Sequence, residues 1–177
     1  MGKISKYDIA YKGLKEGIHK FEYQIDDSFF ELFDKSQVEK ADISVNLDFE
    51  KRNNLMTLLF RIKGTVELAC DRCLEFYSQP VSHKTEVFVK FGETRFDDSD
   101  EVLWVSPEAH YINTARLMYE YIILSIPVKH VHPDNKNGES TCNREMLDQI
   151  KKYAPLNRKE AQPDQRWDAL KKLINRP

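Results

Sequence analysis

Ile43-Ser44-Val45-Asn46-Leu47-Asp48-Phe49-Glu50 places an apolar residue at every second position and a polar one between. An extended chain sends successive side chains to opposite faces, so this stretch is predicted to be a β-strand with one buried face. Lys51-Arg52-Asn53-Asn54 then turns the chain. From Met56 the alternation resumes, with Met56, Leu58, Phe60, Ile62, Val66 and Leu68 on one face. Thr57, Arg61, Lys63, Thr65 and Glu67 fall mostly on the other, and Gly64 is expected to mark a bulge or kink. A third extended segment covers residues 85–91, which puts Cys70-Asp71-Arg72-Cys73 at a turn between two long antiparallel strands. The pattern predicts an α+β protein whose core is an antiparallel β-sheet meander.

Outward from that core, Phe21, Tyr23 and Ile25 alternate as a further strand. Residues 28–33 form a turn of helix behind an Asp27 cap, and these N-terminal pieces are expected to cover the sheet. Residues 93–101 carry five carboxylates against Arg95 and read as an exposed loop. Thr114 is placed to cap a helix running to Leu124, which Pro127 ends. Its apolar residues Leu117, Met118, Tyr121, Ile122 and Leu124 cover most of the circumference, so it is predicted to pack centrally on the sheet. A polar loop follows at residues 133–138. A second helix carries Met146, Leu147, Ile150 and Tyr153 and stops before Pro155. A last helix, capped by Asp164, sets Trp167, Leu170, Leu173 and Ile174 along one stripe. The expected organisation is one domain: residues 1–128 form the sheet and its packing helix, and residues 129–177 a His/Cys loop and C-terminal helices on the same core.

Composition limits what such a chain does. Of 177 residues, 41% are hydrophobic and 32% charged, too apolar for a disordered polymer. The apolar run over residues 121–128 is far short of a bilayer span and is broken by Ser125 and Pro127. The N-terminus has no apolar signal core, so the protein is expected in the cytoplasm with no membrane partner. The net charge of −2 divides unevenly: 16 basic and 22 acidic residues up to Val128, then 11 basic and 7 acidic after it. A slightly basic tail on an acidic body suits either a nucleic-acid contact or an ordinary solvated surface, and the near-neutral net charge argues against strong nonspecific RNA binding. Gly-x-Gly-x-x-Gly, Walker, Gly-x-Ser-x-Gly and His-Glu-x-x-His patterns are all missing from the sequence. His19, His83 and His110 stand apart from one another. The chain is therefore expected not to be an enzyme and to have no small-molecule substrate.

The three cysteines carry the sharpest chemistry. An odd count, with two in a Cys-x-x-Cys, suits metal or thiol chemistry in a reducing compartment better than a disulfide framework. Cys70 and Cys73 at a turn can converge on one Zn2+ at ~2.3 Å each. Cys142 with either His132 or His130 could supply the other half, and Cys70, Cys73, His132 and Cys142 make a chemically complete Cys3His set. Two other accounts compete: a redox pair, or ordinary thiols at a turn with Cys142 free. The redox pair calls for a helix starting at the first cysteine, whereas this pair precedes a strand. Arg72, expected at the tip of the turn, and Arg166, beside Trp167 at the start of the last helix, are candidate contacts to phosphate or carboxylate. The competing role for Arg72 is a brace for a thiolate or carboxylate, and for Trp167 a core anchor.

The order of these features resembles the family of large ribosomal RNA subunit accumulation proteins, the YceD family. The residues that carry the resemblance are Cys70-Asp71-Arg72-Cys73-Leu74, Ile126-Pro127-Val128, His132 through Cys142, and the terminal Asp164-Gln165-Arg166-Trp167-Asp168-Ala169-Leu170 with Leu173. The chain departs from the family pattern in having Cys142 alone where many members carry more cysteines, and Gln165 where proline is common. What the resemblance implies is a non-enzymatic, cytoplasmic factor supporting accumulation or processing of large-subunit (23S) ribosomal RNA. Its direct partner would be the ribosomal RNA precursor or a ribosomal protein. A cytosolic thiol oxidoreductase using the Cys-x-x-Cys pair is the alternative.

Overall fold

The computed structural model describes residues 3–34, 36–52, 55–92 and 102–154. Among them the strands are β1 (Asp8–Ile9), β2 (Gly17–Ile25), β3 (Ala41–Arg52), β4 (Leu55–Ala69), β5 (Phe76–Phe91), β6 (Val102–Val105) and β7 (Ile112–Asn113). The helices are α1 (Asp27–Phe30), α2 (Ala115–Leu124) and α3 (Arg144–Tyr153), with 3-10 turns at Lys3–Tyr7 and Tyr11–Gly13. The main sheet runs β2-β3-β4-β5-β6, and β1 pairs separately with β7. This is the α+β architecture that the alternation predicts, with one difference at its edge. The β2, β3, β4 and β5 pairings are antiparallel, but β6 joins β5 in parallel, Phe88 opposite Val102. β6 is the four-residue run Val102-Leu103-Trp104-Val105, which has no polar alternation to reveal it as a strand.

The alternating residues line up across strands on one face. Tyr23, Val45, Ile62 and His83 form one cross-strand row, and Phe21, Leu47, Phe60 and Thr85 the next. Val45, Leu47, Phe49, Leu58 and Phe60 are completely shielded from solvent. Burying each such side chain contributes roughly 1.5–3 kcal/mol before conformational entropy is counted. α2 covers this face through Met118 and Ile122, both fully buried, and the Tyr121 ring lies 5.6 Å from those of Phe60 and His83, whereas Leu124, expected in the packed surface, is exposed in the last turn. Tyr7, Phe29 and Phe30 close the same core from the N-terminal side. The opposite face is polar, with Arg61 donating to the Asp48 carboxylate at 2.7 Å across β3 and β4.

Several local expectations change in detail. Gly64 makes neither bulge nor kink, because it pairs in unbroken register with Ile43 on one side and Val81 on the other. A Cβ there would overlap the Asp42 carbonyl oxygen and come within 2.6 Å of the Ile43 Cα, so glycine serves a close backbone approach. α1 is capped by Asp26, whose carboxylate accepts from the Ser28 amide; Asp27 instead accepts from the Ala41 amide at 2.9 Å, tying α1 to β3. Thr114 holds the N-cap position of α2, but its hydroxyl donates to the Tyr7 carbonyl. Asn113 accepts from the Ala115 amide in its place. β5 begins at Phe76, well before residue 85, because among residues 76–84 only Val81 is buried and no apolar alternation marks the strand. α3 matches the predicted second helix, and α2 ends at Leu124, ahead of Pro127. The acidic loop at 93–101 and the helix expected from Asp164 lie outside the described residues.

Two substitutions test this register. Gly64→Ala should cost about 1–3 kcal/mol through backbone overlap, and Phe60→Asp several, because an ionised carboxylate would be stranded in the core. Urea denaturation measures both, and wild-type midpoints would contradict the pairing.

Candidate metal centre

β4 and β5 are joined by a tight turn that faces both sulfurs inward. The Leu74 amide donates to the Cys70 carbonyl at 2.9 Å, and the Cys70 amide to the Glu75 carbonyl at 3.0 Å. Closing the turn puts Leu74 in the left-handed region at φ +62°. The Arg72 amide donates to the Cys70 sulfur at 3.4 Å. Cys70 and Cys73 are both buried free thiols.

The second half arrives from the segment after α2 and is fastened to this turn by Asp71. The Asp71 amide donates to the His130 carbonyl at 2.9 Å, while the Asp71 carboxylate accepts from the His130 amide at 2.8 Å. The His130 ring is held as well, its Nε2 lying 3.3 Å from Asp71 Oδ1. His130 therefore clamps the backbone, and His132, two residues on, enters the cysteine cluster. Asn135 next turns the chain back, its side-chain oxygen accepting from the Asn137 and Glu139 amides, with Gly138 at φ +78°. That return delivers Cys142. Asn143 then caps α3 by accepting from the Met146 amide, and its amide group donates to Glu75 Oε1 at 2.8 Å. The cluster is thus tied at both ends to the β4–β5 turn.

Cys70 Sγ lies 3.7 Å from Cys142 Sγ, and His132 Nδ1 lies 3.4 Å from Cys73 Sγ and 3.9 Å from Cys142 Sγ. The four donor atoms all fall within 4.8 Å of one another. A tetrahedron with Zn–S of ~2.3 Å and Zn–N of ~2.0–2.1 Å has S···S edges of ~3.7 Å and S···N edges of ~3.6 Å. The donors therefore already stand near ligand spacing. Burial pushes the Cys70 thiol up, but amide hydrogen bonds from Cys73, Arg72 and His132, joined by the His132 ring, outweigh it and lower its pKa to about 5. Burial raises Cys142, and the adjacent Cys70 and Cys73 sulfurs add to the rise against a lowering contact from Ser140. Tyr77, Val131, Met146 and Leu147 pack around the cysteines, with the Tyr77 ring 4.8 Å from that of His132.

Of the candidate residues, Cys70, Cys73, His132 and Cys142 come together and could hold a metal ion, whereas His130 is engaged by Asp71. Arg72 is not the exposed tip of its turn: it is half-buried, and its Nε is shielded from solvent without a hydrogen-bond partner among the described residues. The tip belongs to Leu74. Arg166 and Trp167 lie outside the described residues. Sequence reasoning missed the Asp71–His130 clamp and the Asn143–Glu75 link, whose only signal is adjacency to the donor positions.

Fold and site together define an α+β sheet protein with a Cys3His cluster, its cysteines buried and its histidine half-buried, joining two distant segments. The chain belongs to the YceD family: the family model, described as large ribosomal RNA subunit accumulation protein YceD, matches residues 58–174. No curated protein and no solved structure matches the chain. Among the described residues, no helix is long and apolar enough to cross a membrane.

Cobalt titration reads the donor set directly. One equivalent of Co2+ should give thiolate charge-transfer and tetrahedral visible bands, and Cys142→Ser should weaken both. Spectra typical of six oxygen ligands would exclude the cluster as the metal centre.

Proposed function

We propose that this protein is a non-catalytic, cytoplasmic factor supporting accumulation and processing of large-subunit ribosomal RNA, with Cys70, Cys73, His132 and Cys142 holding one structural zinc. Family membership supplies the process. The observation that carries the structural role is the closed donor set: four protein ligands fill a tetrahedron and leave no position for substrate or water. Three sulfurs and one imidazole suit zinc better than oxygen-seeking magnesium or calcium. The metal's contribution is to pin the segment around His132 and Cys142 onto the sheet, presenting a surface to a ribosomal RNA precursor or a ribosomal protein.

The lowered pKa of Cys70 favours a thiolate, which a zinc site and a thiol oxidoreductase both use. Burial separates them. All three cysteines are shielded from solvent, and the pair sits between two strands with no helix starting at Cys70. An oxidoreductase needs its attacking sulfur accessible to a partner disulfide. Metal holding is the better account.

Two measurements test the proposal. Protein purified without a histidine tag should carry one zinc per chain, and chelation should lower its melting temperature by roughly 10 °C, as expected for a metal contributing several kcal/mol. Deleting the gene should lower large-subunit relative to small-subunit ribosomal RNA and accumulate precursors. Normal ratios across growth temperatures would sink the functional assignment.

A further inference from the structure

His130 spends its polar groups outside the metal cluster. Its amide donates to Asp71 Oδ2 at 2.8 Å, its carbonyl accepts from the Asp71 amide at 2.9 Å, and its ring Nε2 lies 3.3 Å from Asp71 Oδ1. The other ring nitrogen, Nδ1, lies 3.4 Å from the Pro127 carbonyl oxygen. His132, two residues on, sets its Nδ1 3.4 Å from Cys73 Sγ. Both imidazoles therefore arrive at the same turn, and either has the chemistry of a zinc ligand. What separates them is Asp71, which stands inside the Cys-x-x-Cys and holds His130 by backbone and ring together.

A brace for the fold is the competing role, and exposure argues against it. The Asp71 and His130 side chains are 40% and 28% exposed, and a contact so open to water adds little to global stability. The main core closes between the sheet and α2 without either residue. Position is where the contact has leverage. Between the end of α2 at Leu124 and the cap of α3 at Asn143, Asp71 holds the chain two residues before His132, and Glu75 holds it one residue after Cys142. A segment free at its His132 end would have to be ordered by the metal itself, and that entropy would be subtracted from affinity. A shift that exchanged His130 for His132 would break both backbone hydrogen bonds. We propose that Asp71 is a positioning residue of the metal centre: from outside the donor set, it selects His132 as the histidine ligand and raises metal affinity. This rests on the assignment of Cys70, Cys73, His132 and Cys142 to one zinc.

Asp71→Ala in the full chain removes the carboxylate and leaves all four donors in place. Zinc affinity, read by displacement of bound Co2+ and loss of its visible bands, should fall ~10–100-fold, while the metal-free variant melts close to metal-free wild type. Asp71→Asn keeps an oxygen for the His130 amide and should recover most of that affinity. Once released from Asp71, His130 can serve in place of His132, so His132→Ala should cost less affinity in the Asp71→Ala background than in wild type. Unchanged affinity in Asp71→Ala would overturn the positioning role and leave the zinc assignment standing. So would an affinity that falls in step with the metal-free melting temperature, since that is how a structural brace behaves. An equal cost of His132→Ala in both backgrounds would overturn the selection of His132. Wild-type protein that binds neither cobalt nor zinc refutes the zinc assignment and this inference with it.

Discussion

β4 is hydrogen-bonded on both sides in one unbroken register, to β3 from Leu55 to Val66 and to β5 from Met56 to Ala69. Nearly everything else hangs on that double pairing. A slip of one residue on either side would turn Leu58, Phe60 and Ile62 to solvent and bring Thr57, Leu59 and Arg61 inward. It would also move the β4–β5 turn, and with it Cys70 and Cys73. Gly64 allows the register to pass without a bulge by letting the β3 backbone come close at Asp42 and Ile43. The site's position is therefore a consequence of sheet packing more than forty ångströms of strand long, at ~3.3 Å per residue.

What the sequence made legible follows from which forces leave a periodic trace. β3 and β4 are readable because one face is buried and the other wet, and α2 because its apolar side packs on the sheet. The first half of β5 left no trace, since its pairing with β4 is satisfied by backbone hydrogen bonds under side chains that are mostly not buried. β6 was invisible for the opposite reason, having no polar position to set a period. The four donors were legible as chemistry, because cysteine and histidine are few here. The choice of His132 over His130 was not legible: it depends on Asp71 capturing the His130 amide and carbonyl, a contact across 59 positions. Arg72 stands between the two cysteines in sequence, which points to the tip of the turn, whereas the left-handed, exposed residue is Leu74.

The donors also show how folding and metal affinity are coupled. Cys70 and Cys73 are separated from Cys142 by about seventy residues, and closing a loop of that length from an unfolded chain costs several RT of entropy. A metal binding to the unfolded chain would bear this cost in full. In the folded chain most of it has already been met by the sheet and α2, and the remaining segment is fixed by Asp71, His130, Glu75 and Asn143. Each of these contacts is exposed enough to be modest alone. Their role is geometric: they hold the second half within reach, so that a metal ion would complete an arrangement already near ligand spacing.

That economy sharpens the contrast between the interior and the tip of the β4–β5 turn. Inside, the Cys73, Arg72 and His132 amides lower the pKa of Cys70, and Tyr77, Met146 and Leu147 pack against the cysteines. Outside, the same few residues carry an exposed leucine on a strained backbone where glycine would close the turn without strain. The two halves of the turn thus differ: the inner one faces the sulfurs, and the outer one leaves an apolar side chain in solvent.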